Sequence, residues 1–161
     1  MMKKSLLLFM VVATIFSCGS TKTTGVSKKV MKGYWSLNSI TYSESGEFNV
    51  NLLNDAEQAC FEGSTWRFIP NNNTGNYTLS GMDCDSSVRN FVFSIQTIDK
   101  DTGLYDFMLK PTNAKHKSET NQGFRLKLAQ LSESNMQWQQ TVTLDDGKPF
   151  TIFMNFTKTS D

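Results

Sequence analysis

The chain has 161 residues, of which 39% are hydrophobic and 19% charged, with a formal net charge of +1. That length suits one domain whose core buries about 68–70% of its unfolded surface. Basic residues are scattered except for Lys28-Lys29 and Lys115-His116-Lys117, so the electrostatic footprint of a nucleic-acid binder is missing.

Residues 1–17 read as a bacterial lipoprotein signal peptide. Lys3 and Lys4 form a positive n-region, and Leu6 to Phe16 form an apolar h-region. Ile15-Phe16-Ser17-Cys18 then stands as a lipobox with Gly19 behind it, Phe16 being bulkier than is usual there. The apolar run is eleven residues, short of the ~20 needed to span a bilayer, so the segment reads as a cleaved signal rather than a transmembrane anchor. Cleavage leaves 144 residues with a formal charge of −1. Cys18 then carries a diacylglycerol on sulfur and an acyl chain on its amine. Each buried methylene of such chains contributes about 0.8 kcal/mol to membrane binding. Residues 18–31 are small, polar and basic and read as the lipidated Cys and a flexible tether. Gly19 is not the Asp linked with inner-membrane retention, and no acidic run follows Cys18. The expected address is a lipid anchor in the outer membrane, on its periplasmic face.

Cys60 and Cys84 remain as an even pair. In an oxidising compartment the default is a disulfide. The alternative, a metal or redox pair, is poorly served by a chain with no CxxC and a single His.

From residue 32 onward a period of two dominates. Gly33 to Ile40 is a first strand with Trp35 and Leu37 on one face. The stretch Ser43 to Glu62 breaks the rhythm, and Leu52 to Phe61 allows one or two helical turns. Ser64 to Ile69 places Trp66 and Phe68 together, the cluster Pro70 to Gly75 turns the chain, and Asn76 to Leu79 returns with Tyr77 and Leu79. Asn90 to Ile98 alternates Phe91, Phe93 and Ile95 inward, Asp99 to Gly103 turns, and Leu104 to Leu109 carries Tyr105, Phe107 and Leu109. A polar loop from Pro111 to Gln122 leads to Gly123–Leu131, with Phe124, Leu126 and Leu128 on one face. Asn135 to Leu144 carries Met136, Trp138, Gln140 and Val142. Asp145-Asp146-Gly147 is a hairpin turn, and Pro149 to Thr157 ends the pattern with Phe150, Ile152, Met154 and Phe156.

Eight antiparallel strands with one apolar face close as a barrel or split into a sandwich. The short connections favour an up-and-down barrel, whose closure removes exposed edges. Gly33-Tyr34-Trp35, on the first strand just after the tether, resembles the GxW motif of lipocalins. The segment Cys60-Phe61-Glu62-Gly63-Ser64-Thr65-Trp66, followed by Pro70 to Tyr77 and by Cys84, resembles a pattern of lipocalin-like lipoproteins of Gram-negative bacteria. The resemblance implies an eight-stranded calycin-type barrel over residues 32–158, with the Trp packed across its closed end and Gly33 permitting close backbone approach. It also implies a basic residue on the last strand, a role open to Lys158. The chain departs from vertebrate-type lipocalins in ending three residues after Lys158, with no C-terminal helix.

No catalytic constellation stands out. His116 lies in a polar loop, Asp83 and Asp85 flank Cys84, and Asp99, Asp101, Asp145 and Asp146 sit in turns. No phosphate loop, HExxH or paired-carboxylate signature is present. The expectation is therefore a binding protein rather than an enzyme, without cofactor or metal. The inward aromatics suggest an apolar cavity for a small hydrophobic molecule such as a fatty acid. Its expected lining is Trp66, Phe68, Tyr77, Phe91, Phe93, Phe107, Phe124, Trp138, Gln140, Phe150, Ile152 and Met154. The expected form is a monomer, and the alternative function is a protein-interaction module of the cell envelope, of inhibitor or stress-sensor type. It would act through the Ser43–Phe61 segment or the Lys110–Gln122 loop.

Overall fold

A computed structural model describes residues 28–98 and 105–161. The signal peptide, Cys18, most of the tether and the Asp99–Gly103 turn lie outside the described residues.

All eight expected strands form, and they close on themselves. They are β1 (Gly33–Tyr42), β4 (Thr65–Ile69), β5 (Thr74–Thr78), β6 (Arg89–Ile98), β7 (Tyr105–Thr112), β8 (Phe124–Leu131), β9 (Asn135–Thr143) and β10 (Pro149–Ser160). The order around the barrel is β1-β10-β9-β8-β7-β6-β5-β4, with every pairing antiparallel. Each strand pairs with its sequence neighbour, and the first meets the last. This is an eight-stranded, closed up-and-down barrel, as the alternation predicted. Register shifts in β1 and between β8 and β9 supply local bends, as bulges do where a sheet must curve to close.

The lower end is where the chain enters at Gly33 and leaves at Ser160. Residues 28–31 form a helical turn (α1) there, and Met31, assigned by sequence to the tether, is fully buried. The upper end carries the long β1–β4 connection, the β5–β6 and β7–β8 loops and the β9–β10 hairpin.

The β1–β4 connection is an insert with its own structure. A two-stranded hairpin of β2 (Asn51–Leu52) and β3 (Ala56–Glu57) leads into α2 (Gln58–Phe61). The helix expected over Leu52–Phe61 is therefore only its last turn. Leu53 and Asn54 adopt φ of 53° and 52°, and this left-handed pair closes a tight hairpin instead of starting a helix. Above Ser36, β1 has no β4 partner, so the insert satisfies its edge. Leu37 N donates to Ser64 O at 3.1 Å, Gly63 N to Leu37 O at 2.7 Å, and Ile40 N to the Glu62 carboxylate at 2.8 Å.

Strand β5 starts at Thr74, two residues earlier than the turn cluster suggested, and Gly75 lies inside it. A Cβ at Gly75 would sit 2.3 Å from Phe91 Cζ and 2.6 Å from Arg67 O. The Phe91 ring covers the space that a side chain would fill, so Gly75 is there for close approach and not for a turn.

Candidate functional site

The lower end is sealed around Trp35, which is fully buried and donates from Nε1 to Met31 O at 2.9 Å. Lys158 Nζ lies 5.8 Å from the Trp35 ring centre and 3.5 Å from Val30 O. The cation thus sits on the ring face and beside the carbonyl end of α1, as the resemblance implied for the last strand. Gly33 has φ of +115°, and a Cβ there would meet Ser160 O at 2.4 Å. The GxW glycine is where the start of β1 closely approaches the end of β10.

Inside, the alternating faces place eight aromatic rings in one continuous cluster, which a ninth joins from the insert. Trp66 stacks on Tyr77 at 4.3 Å and meets Trp138 edge-on at 5.4 Å; Trp138 in turn lies 4.8 Å from both Phe107 and Phe156. Phe68, Phe91 and Phe93 continue the cluster at 5.6–6.2 Å, and Phe61 of α2 joins it from the insert. Such offset and edge-on pairs each contribute about 0.5–1.5 kcal/mol beyond their area. The lower and middle barrel is filled by its own side chains.

The cluster thins toward the upper mouth. On β9 the inward column runs from Met136 and Trp138, 1% and 0% exposed, to half-buried Gln140 and then Val142 at 38%. Phe124 at the top of β8 is also half-buried. On the opposite side the insert closes the mouth. Leu52, Leu53 and Phe61 are buried, and Phe48 packs against Tyr42 and Phe150 at 5.0 and 4.8 Å. The Cys60–Cys84 disulfide ties α2 to the β5–β6 loop, as the even pair implied.

An ionic buttress holds the insert to the wall. Tyr77 Oη donates to Asp55 Oδ2 at 2.7 Å, and Arg89 Nε pairs with the same oxygen. Arg89 also donates to the carbonyls of Asp85 and Ser87 at 2.8 and 2.9 Å. Burial, then the hydrogen bond to Asp55 and its charge, push the Tyr77 phenol far above its ordinary pKa, with Arg89 pulling the other way. Burial and the Glu62 charge raise Tyr42 as well, whose hydroxyl donates to Gln58. Asp85 is held low by the Ser87 backbone N–H and hydroxyl.

Of the twelve residues expected to line a cavity, ten are buried in the interior, while Phe124 and Gln140 are half-buried at the mouth. Most of them touch one another rather than an open space. The insert residues Phe48, Leu52, Leu53 and Phe61 escaped the sequence reading, although the apolar pair Leu52-Leu53 marked the place. Among the described residues no Asp, Glu, Lys, Arg or His is buried; the buried polar residues are Ser64 and Thr74. An open depression of about 770 Å³ lies at the lower rim beside Lys29, Glu133 and Lys158, outside the barrel.

No protein-family model matches the chain, and no curated protein matches it by sequence. Three solved structures of bovine odorant-binding protein are similar to it. The complex with a selenium-containing odorant is 12% identical with a TM-score of 0.40, covering 82% of this chain and 72% of that one. The complex with its natural ligand is 14% identical with a TM-score of 0.38, covering 81% and 72%. The protein from nasal mucosa is 14% identical with a TM-score of 0.38, covering 83% and 73%.

Proposed function

We propose that this lipocalin-like barrel binds a small hydrophobic molecule entering at its upper mouth, as a lipoprotein anchored through Cys18. The observation that carries the reading is the inward column of β9. It is buried and aromatic at Trp138 and opens to solvent at Gln140 and Val142. A throat that is apolar, open at one end and, among the described residues, free of buried Asp, Glu, Lys, Arg and His suits binding rather than acid–base chemistry. Native mass spectrometry of the chain from Ser20 onward, purified gently and then denatured, tests it. An added mass of a few hundred daltons that is lost on denaturation supports the carrier. A bare mass that persists after incubation with lipid extracts counts against it.

The lipid anchor at the periplasmic face of the outer membrane is supported by the lipobox Ile15–Cys18 and by the position of the chain's entry at the lower end, opposite the mouth. Labelling with radioactive palmitate should mark the wild-type chain and fail on Cys18→Ser. Label surviving that substitution sinks the assignment.

A second reading, docking of a protein partner by the upper loops, is favoured by Met82, Val88, Val142 and Leu144. Among the described residues, these four exposed large apolar side chains lie at this end. Met82→Ser combined with Leu144→Ser should then abolish partner binding, while a carrier keeps its ligand.

A further inference from the structure

Charge is unevenly spread over the barrel wall. Strands β4 to β8 carry Arg67, Arg89, Asp106, Lys110, Arg125 and Lys127. The neighbouring strands β9, β10 and β1 carry Lys158 alone, and its ammonium sits on the Trp35 ring at the lower end. Above it the outward face of these three strands is built from amides, hydroxyls and the ring of Phe153. Gln139 Nε2 donates to Gln137 Oε1 at 3.1 Å, Gln137 Nε2 to Asn155 Oδ1 at 2.8 Å, and Asn155 Nδ2 to Ser39 Oγ at 3.3 Å. The hydroxyls of Thr141 and Thr151 pair at 2.9 Å. Phe153 alternates with buried Ile152 and Met154 and so points outward, half-buried between its cross-strand neighbours Gln139 and Thr41. A solvated wall ordinarily carries interspersed charges, and their depletion marks the centre of a contact surface.

We propose that this outer face binds a neutral oligosaccharide, independently of any ligand inside the barrel. A pyranose ring presents C–H groups on its faces and hydroxyls around its rim. The C–H groups suit the negative face of the Phe153 ring. The hydroxyls donate and accept at once, as side-chain amides do with two N–H groups and two lone pairs each. The ladder takes one N–H and one lone pair of Gln137, and the second of each is left for a partner above the sheet.

Other occupants fit less well. Strands β9 and β10 are paired on both sides, so an extended peptide finds no edge to join. Nucleic acid needs cations that this face lacks. Against a second copy stands the area. Three strands give a width of about 14 Å, and the β9–β10 ladder from Thr143 to Asn135 gives a length of about 30 Å. That is roughly 400 Å², where a stable interface takes about 800 Å² from each partner. The wall of a closed barrel is also convex, so two copies would touch along a strip, whereas a sugar chain is narrow enough to follow the curve.

The test uses the full chain in lipid nanodiscs with nitrogen-15 in its Asn and Gln side chains, titrated with cellotetraose, chitotetraose and maltotetraose. At least one sugar should shift the side-chain amides of Gln137, Gln139 and Asn155 saturably, a readout that needs no variant. Gln140, at the mouth, should stay in place, which separates this face from the barrel interior. Phe153→Ala should weaken binding by about tenfold or more, as loss of an aromatic anchor does, and Phe153→Tyr should keep it. No shift with any of the three sugars overturns the proposal, and so does a shift confined to Gln140 or to Asn113, Asn121 and Gln122 of the upper loop. Shifts of the same three amides that follow the number of chains per disc, and not the sugar, would make a second copy the occupant and overturn it as well. Each of these failures leaves the carrier reading untouched.

Discussion

Gly75→Ala tests the aromatic packing at its tightest point. The new Cβ would lie 2.3 and 2.6 Å from Phe91 Cζ and Cε2, and 2.6 Å from Arg67 O. The ring can swing away, but the carbonyl belongs to a strand paired on both sides and cannot. Phe91 is fully buried against Trp66 and Phe68 at 5.7 and 5.6 Å, so displacing it disturbs the cluster. Overpacking of this kind costs about 1–3 kcal/mol, and Ala gains back about 0.5–1 kcal/mol over Gly in a strand. The backbone contact places the net loss near the upper part of that range, about 2 kcal/mol. Phe91→Ala alone should cost about 3–5 kcal/mol. The double variant should lose less than the sum by at least ~1 kcal/mol, because the missing ring leaves room for the methyl group added at position 75. Urea denaturation followed by tryptophan fluorescence reads all four forms. Strict additivity, or a Gly75→Ala variant within ~0.5 kcal/mol of wild type, would refute the reasoning.

Replacing both Cys60 and Cys84 by Ser opens a loop with a sequence separation of 24. It should cost about 3 kcal/mol in the chain-entropy model, or roughly 10 °C in Tm, read by circular dichroism; an unchanged Tm would show that the buttress alone holds the insert. Gly33→Ala combines φ of +115° with a Cβ 2.4 Å from Ser160 O and should destabilise by about 2–3 kcal/mol, checked by the same urea titration. Tyr77 and Tyr42 are both raised above their ordinary pKa of 10.0, so the fold holds their protons more tightly than the unfolded chain does. That stabilisation is complete below pH 10 and is lost as pH climbs past it. The urea midpoint should fall between pH 9 and 11 in wild type and fall less in Tyr77→Phe; equal slopes would contradict the placement of Tyr77.

The strands were legible because the alternation is regular wherever one face is buried: Trp66 and Phe68 on β4, or Phe150 to Phe156 on β10, read inward from sequence and are inward. Alternation assigns a face but not a height in the barrel. Trp138 and Val142 share a face, yet one is fully buried and the other open, and nothing within β9 distinguishes them. Gly75 read as part of a turn because its neighbours are Asn and Thr, while its reason for being Gly is a ring on the next strand. Asp55 and Arg89 are far apart in sequence with no local pattern linking them, and only the packing of the insert against β5 and β6 brings them together. The disulfide was legible for the opposite reason: once Cys18 is set aside, two cysteines leave one pairing.

The mouth is unequally closed, and this bears on how a ligand would enter. On the β1, β4 and β5 side the insert is fixed three ways: Leu52, Leu53 and Phe61 are buried, Asp55 is held by Tyr77 and Arg89, and Cys60 is covalently tied to Cys84. Moving it would expose three large apolar side chains, each worth about 1.5–3 kcal/mol in burial, before the ion pair is counted. On the β8–β9 side nothing comparable among the described residues stands over Phe124, Gln140 and Val142, which already meet solvent. The cheaper route therefore passes over the β8–β9 edge and leaves the insert in place. Val142→Trp should slow the loading of a barrel ligand in stopped-flow fluorescence by at least tenfold, while cutting the Cys60–Cys84 bond should leave the rate within about twofold of wild type. A rate that instead follows the disulfide would make the insert the gate.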